Sequence, residues 1–394
     1  MNSLWKDNFV KALLQSNRTE DIEDAVKLVR THTQNLNQTG DFSCPNKVEI
    51  WQRVVKGKNF KEEASDTFED KINCLKNDIS IRKCLLNPKN GYLSCWLDRQ
   101  SFMFNFFNDV SLNEITERSK DDRIMTNVLN LDLMQKSNKC QLTSMRCSQV
   151  TDFLKRLLRT NLVSPADQNC SKKIVLSTND KIENAIKVGP VIGKDSKKKN
   201  IDSFLDVYHK FYKILDYASK ERLVQSESRR IANVHAVVSA EIQFQLLSNN
   251  LGQPAIIDEN SDKIATFVLY NHARIVQLLQ SSKEEREIND QNEAIDVKLL
   301  TENEEWEIVF LYLSRYKDVL NDIVKTNDIK IGRLIKFLIG LSQTFSRYYN
   351  RVHVIKTAPH LKPTQSARLK LIFVIKIILE HGLYLLNIPS LGRM

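Results

Sequence analysis

Residues 345–355 read FSRYYNRVHVI and gather Tyr348, Tyr349, Asn350, Arg351 and His353 with no acidic residue among them. Aromatic rings stack on unpaired bases, while arginine and lysine neutralise phosphate. The combination suits a single-stranded RNA loop more than a duplex groove. A plainer use of the same residues is to end a helix and complete its core with two rings. One tyrosine packed inward and the other facing outward meets both demands. The sequence does not say which is which.

The surrounding charge favours a polyanionic partner. From Ile331 to Met394 the basic residues Arg333, Lys336, Arg347, Arg351, Lys356, Lys362, Arg368, Lys370, Lys376 and Arg393 are opposed only by Glu380. This segment therefore holds +9 of the chain's formal net charge of +10. The stretch before it, SSKEEREINDQNEAIDVKLLTENEEWE (281–307), is acidic. Such a split predicts a polyanion-binding C-terminal module beside a neutral remainder. Lys336, Arg347, Arg368 and Lys370 thus join residues 348–353 as candidate nucleic-acid contacts. A solvated basic face, or one that meets an acidic protein, is the competing assignment.

Other chemistries find little support. Only ten glycines occur in 394 residues, where average usage would place roughly 28, so phosphate cradles on glycine-rich loops are disfavoured. GPVIGK (189–194) has three residues between its glycines rather than four. Asp195 also stands where a phosphate loop needs Ser or Thr for magnesium. The seven cysteines are widely spaced, with no C-x-x-C and no histidine at zinc-ligand spacing. They read as reduced thiols, and no metal or cofactor is expected. His272, alone on an apolar helix, reads as a satisfied core residue. The N-terminal stretch lacks the apolar run of a secretory signal, and LKLIFVIKIIL (369–379) is too short to span a bilayer. A soluble, cytoplasmic protein without a membrane segment is the expectation.

The elements that must position these residues are mostly helices. The first 120 residues mix amphipathic helical stretches with one strand-like piece, YLSCWLD (92–98), followed by a helical aromatic run. Apolar spacing predicts a helix over 146–160, KKIVLST (172–178) reads as a buried strand, and 188–200 reads as a loop with a lysine run. Long helical patterns follow at 201–226, 227–250, 264–282, 303–325, 331–351 and 365–386. In the fifth of these, Ile331, Leu334, Ile335, Leu338, Leu341, Phe345 and Tyr348 form one apolar stripe. Leu371, Ile372, Ile375, Ile378, Leu379 and Leu383 do the same in the last. An antiparallel helical bundle is predicted.

FVLYNHARIVQLL (267–279), FLIGLSQTFSRYYNRVHVI (337–355) and SARLKLIFVIKIILEHGLYLLNIPSLGRM (366–394) resemble, in order and spacing, the DALR anticodon-binding domain of arginyl-tRNA synthetases. In that domain the helix tyrosine and the C-terminal methionine lie near the anticodon loop. The resemblance thus implies roles for Tyr270 and Met394, with Arg274 one turn along the same helix. Upstream the likeness is degraded. LTSMRCSQVTDFLKRLL (142–158) is similar to the synthetase segment whose two histidines stabilise adenylate formation, but its four signature positions are Gln141, Leu142, Thr143 and Ser144. VGPVIGKDSKKKNIDSFLDVYHK (188–210) resembles the run into the second signature and lacks its Ser-Gly end. The two remnants lie too close for a complete class I nucleotide-binding fold.

TFVLYNHARI, SQTFSRYYNRVH and APHLKP look closer still to a non-catalytic family of DALR anticodon-binding domain-containing proteins. That resemblance implies a tRNA-binding protein that selects arginine tRNA for the methyltransferase making 3-methylcytidine in the anticodon loop. The partner would carry the chemistry. The fold expected is mainly α: an N-terminal α+β region (1–125), a degenerate class I synthetase-like remnant (126–250) and a DALR helical bundle (251–394). An active arginyl-tRNA synthetase and a protein–protein scaffold that has lost RNA are the alternatives.

Overall fold

A computed structural model describes residues 4–14, 19–55, 80–109, 128–130, 141–160, 174–178, 185–194, 203–220, 226–282, 296–324, 329–355 and 358–392, with isolated positions between them. The chain divides into two compact units, 1–110 with 295–298, and 111–294 with 299–394.

The first unit holds helices α1 (Leu4–Leu14), α2 (Thr19–Val26), α3 (Leu36–Thr39), α4 (Val48–Val54) and α5 (Arg99–Asp109). Its strands are β1 (Arg30–Thr31), β2 (Phe42–Pro45), β3 (Ile81–Asn87) and β4 (Tyr92–Leu97), in the antiparallel order β1-β2-β4-β3. The sequence reading found β4 and the helix after it but missed the other strands. β1 is two residues long and β3 is mostly exposed, so neither shows the apolar alternation of a half-buried strand. The inner face is apolar: the Trp5 ring meets Phe42 at a tilt and the Phe9 ring meets it edge-on, each with centroids 5.0 Å apart. The buried Trp51 donates its indole N–H to Pro45 O at 2.9 Å.

The second unit begins with β5 (Val128–Asn130) and α6 (Gln141–Leu158), followed by β6 (Ile174–Ser177), β7 (Ile186–Lys187) and β8 (Val191–Gly193). Parallel β5-β6-β7 form one small sheet, and β8 pairs in parallel with β9 (Ala255–Ile257). The helix over 146–160 and the strand within 172–178 are therefore present. Residues 188–194, read as a loop, instead contain a strand, and the lysine run after them lies outside the described residues. Gly189 is required there, because a Cβ would come within 2.5 Å of Gln253 O.

The helices that follow are α7 (Phe204–Lys220), α8 (Glu227–Leu247), α9 (Ile264–Ser281), α10 (Asn303–Glu307), α11 (Tyr316–Val324), α12 (Gly332–Arg351) and α13 (Lys362–Leu385). The whole stripe read from 331–348 is buried, as are the six aliphatic positions named in α13. The predicted helix 303–325 is interrupted. A π turn at Ile308–Tyr312 and a 3-10 turn at Leu313–Arg315 separate α10 from α11. The extra residue of such a turn re-aims a side chain, and here the Tyr312 ring fills the space a Cβ would need on Gly340 of α12. The start of α9 is capped from α8: Glu241 accepts hydrogen bonds from Thr266 N at 2.8 Å and Thr266 Oγ1 at 2.6 Å. Among the described residues no helix is long and apolar enough to cross a membrane.

Candidate nucleic-acid interface

Helix α12 sets the two tyrosines of the YYNR stretch apart by the 100° turn between successive helical residues. Tyr348 points into the core and is fully buried. Its hydroxyl donates to Glu305 Oε1 at 2.8 Å, and burial next to that carboxylate pushes its pKa up. It cannot stack on a base, which corrects its place among the candidate contacts. Tyr349 lies on the edge facing α9 and is partly exposed. There it joins Tyr270 and Arg274, which sit one turn apart on α9. The Arg274 guanidinium lies 4.6 Å from the Tyr270 ring centre and 4.8 Å from that of Tyr349. One of its N–H groups donates to the Tyr270 hydroxyl at 2.5 Å. Tyr270 is 38% exposed. The result is a cation held between two aromatic rings at the surface, a geometry in which each ring is oriented before any ligand arrives.

The opposite edge of α12 is occupied by acid. Arg351 donates to Glu304 Oε1 at 2.8 Å and to Glu302 Oε2 at 2.5 Å, and Arg347 to Glu307 Oε2 at 2.9 Å. Arg368 of α13 is buried and donates its Nε–H to Glu305 Oε1 at 2.9 Å. All four glutamates come from α10 and its cap, within the acidic run that the charge pattern set beside the basic module. These glutamates pair with Arg347, Arg351 and Arg368, which are therefore ion-pair partners of glutamate and not open phosphate ligands. Glu305 is fully buried; burial pushes its carboxyl up, against hydrogen bonds from Glu302 N, Tyr348 and Arg368. The Arg351 guanidinium holds Glu304 below the ordinary carboxylate range. This acid cluster is what the sequence reading missed. Its available signal was the Glu302-x-x-Glu305 spacing, which forms a reciprocal capping box at the start of α10.

The remaining candidates separate along the same lines. Asn350 and His353 are exposed beyond Tyr349, and Lys336 is exposed more than three turns of helix earlier. Lys370 is buried, and Met394 lies outside the described residues. His272 is satisfied in the core as read, with Nδ1 3.2 Å from Leu391 O and Nε2 3.1 Å from Glu380 Oε1. Its ring thereby ties the C-terminal segment and α13 to α9.

At the degraded signature, the side chains are spent on packing. Leu142 is fully buried, and Thr143 Oγ1 accepts the N–H of Val191 at 3.1 Å. Arg146 is buried without a carboxylate. Its guanidinium donates to the carbonyls of Leu246 (2.8 Å), Gly189 (2.8 Å), Gln253 (2.7 Å) and Asn250 (3.2 Å), and burial brings its pKa down to about 10. Lys194, the last residue of GPVIGK, pairs with Asp258 at 2.6 Å at the end of the β8–β9 pair. Among the described residues no group of three or more His, Cys, Asp or Glu side chains is placed to hold a metal ion.

Residues 268–394 match the DALR anticodon binding domain. The chain is 29% identical over 184 residues to DALR anticodon-binding domain-containing protein 3 of Danio rerio, an overlap covering 41% of this chain and 33% of that protein. It is 30% identical over 173 residues to the protein of the same name from Rattus norvegicus, covering 39% and 32%. The chain thus spans about a third of the length of the curated relatives it matches. The resemblance carried by the three C-terminal motifs is borne out. Among solved structures, arginyl-tRNA synthetase from Plasmodium falciparum shares the fold at a TM-score of 0.60 and 12% identity, covering 100% of this chain and 98% of that one.

Proposed function

We propose that this chain binds the anticodon stem-loop of a tRNA, with Tyr270, Arg274 and Tyr349 as the platform for unstacked loop bases. The observation that carries the reading is the guanidinium of Arg274 between two tyrosine rings at the surface of a DALR domain. Rings fixed in this way lose little freedom when a base stacks on them. Asn350 and His353 beside the cluster supply polar contacts, and Lys336 supplies charge. The tRNA is an arginine tRNA, and the chain presents it to a methyltransferase that forms 3-methylcytidine in the anticodon loop. This finer role is supported by the likeness to the non-catalytic DALR relatives.

The chain itself is non-catalytic. Gln141, Leu142, Thr143 and Ser144 replace the signature histidines, and the Thr143 and Arg146 side chains are engaged with backbone groups. Arginine-dependent exchange between ATP and pyrophosphate by pure protein would overturn that part.

The test of the whole is to purify the protein from its own cells and sequence the tRNAs that survive a moderate-salt wash. Strong enrichment of arginine tRNAs is expected, with the methyltransferase in the same fraction. An even spread of tRNAs would mean electrostatic binding without selection. No tRNA at all would favour the scaffold reading.

A further inference from the structure

Three thiols meet on the inner face of the first unit's sheet. Cys95 of β4 stands directly across the antiparallel ladder from Cys84 of β3, and the two Sγ atoms are 3.1 Å apart in a hydrogen bond. Cys44 of β2 hydrogen-bonds Cys95 from the other side. Cys44 and Cys95 are fully buried, whereas Cys84, on the outermost strand, is only partly covered.

The geometry is that of a bond waiting to close. Directly opposed residues of an antiparallel pair have Cα atoms about 4.5–5.5 Å apart, within the roughly 4.4–6.8 Å that a disulfide spans. The register is fixed by the hairpin turn, where Gly91 adopts φ 69° and donates its N–H to Asn87 O at 2.9 Å. The sulfurs need approach by only about 1 Å to reach the bonded length, a shift that side-chain rotation on an outer strand supplies.

We propose that Cys84 and Cys95 are an oxidisable pair that closes a reversible disulfide between β3 and β4 when glutathione disulfide is present. The thiolate of Cys84, the more accessible sulfur, attacks one sulfur of glutathione disulfide. That S–S bond breaks, and one glutathione leaves with the proton that Cys84 gave up. Cys95 then loses its proton and attacks Cys84 Sγ, forming the intramolecular bond and expelling the second glutathione. Two thiols are oxidised and one glutathione disulfide is reduced to two glutathiones. Cys84 acts first because Cys95 is the reluctant thiolate: the Cys44 hydrogen bond and burial push its pKa up, against the opposing pull of Cys84. Closure clips the outer strand to the sheet.

The full chain should be incubated with glutathione disulfide, alkylated, digested with trypsin and mapped without reduction. Cleavage after Lys83, Lys89 and Arg99 places Cys84 on 84–89 and Cys95 on 90–99, so only a disulfide holds these peptides together. The expected result is the joined pair, lost on reduction and absent from Cys84→Ser, a substitution at a partly exposed site. Three outcomes would overturn the assignment: Cys84 left carrying glutathione while Cys95 is alkylated, Cys84 joined to a different cysteine, or both thiols fully alkylated.

Discussion

The arginines along the two edges of helix α12 are put to opposite uses. On one edge Arg347 and Arg351, with Arg368 of α13 behind them, are drawn onto Glu302, Glu304, Glu305 and Glu307. On the other edge Arg274 meets no carboxylate in its ring contacts and is held by Tyr270 and Tyr349. A cation paired with carboxylate has spent its charge, and a phosphate must displace the glutamate to reach it. A cation held by ring faces keeps its net charge and orients the rings at the same time. Positive charge in a sequence therefore locates an anion site only where the fold leaves that charge uncompensated. By that criterion the interface proposed above lies at the seam between α9 and α12 and not at the arginines of α12.

The comparison breaks most visibly at the buried pair. Arg368→Met leaves Glu305 buried with its charge uncompensated, and the cost expected is about 3–5 kcal/mol of folding stability, read by chemical denaturation. Because that loss is chiefly the stranded charge, adding Glu305→Leu should recover much of it. Failure of the double variant to recover would mean that packing, not charge, holds this edge. The tyrosines give the next largest contrast. Tyr349→Ala should weaken tRNA binding roughly tenfold to a hundredfold, since a stacked base is worth about 1–3 kcal/mol, with the denaturation midpoint nearly unmoved. Tyr348→Phe should leave tRNA binding alone and cost about 1 kcal/mol of stability through the lost hydrogen bond to Glu305. If the two variants exchanged phenotypes, the orientation argued for the helix end would be wrong. Arg274→Lys should fall between them, because an ammonium keeps the charge but cannot lie flat between two rings.

Much of this bundle was legible because its helices carry a strict apolar period. The stripe from Ile331 to Tyr348 needed no tertiary information, nor did its burial. The same period could place Tyr348 in line with Phe345 and Leu341, yet Tyr349 is also ring-packed against Phe345 at 5.9 Å, so the pattern alone did not decide between them. What settled it was Glu305, a buried carboxylate more than forty residues away that accepts from the Tyr348 hydroxyl and from Arg368. The acidic run was visible in the sequence, but the pairing of Glu302, Glu304, Glu305 and Glu307 with α12 and α13 is a long-range event that composition does not encode. β1 and β3 were hidden for a different reason. A two-residue strand and an exposed outer strand are defined by their partners' hydrogen bonds and not by their own side chains.

The smallest effect belongs to the exposed pair, and its pH dependence gives it a signature. Arg351 holds Glu304 below the ordinary carboxylate range. A carboxyl whose folded pKa is depressed contributes stability that is complete above its unfolded value, about 4.3, and is lost as pH falls through the lowered one. Glu305 runs the other way: burial raises its pKa, so its ionised form weighs against the fold above the unfolded value, and acid relieves it. The wild-type acid limb therefore mixes two opposed titrations. Arg351→Ala removes the first and leaves the second. Subtracting the variant's stability from the wild type's between pH 7 and pH 3 should give a modest advantage at neutral pH that fades on acidification. It should also shrink in high salt, as exposed ion pairs do. A difference that stayed constant across pH would show that Arg351 contributes through its aliphatic stem, and the acid-paired edge would then rest on the buried Glu305–Arg368 pair and on Arg347–Glu307.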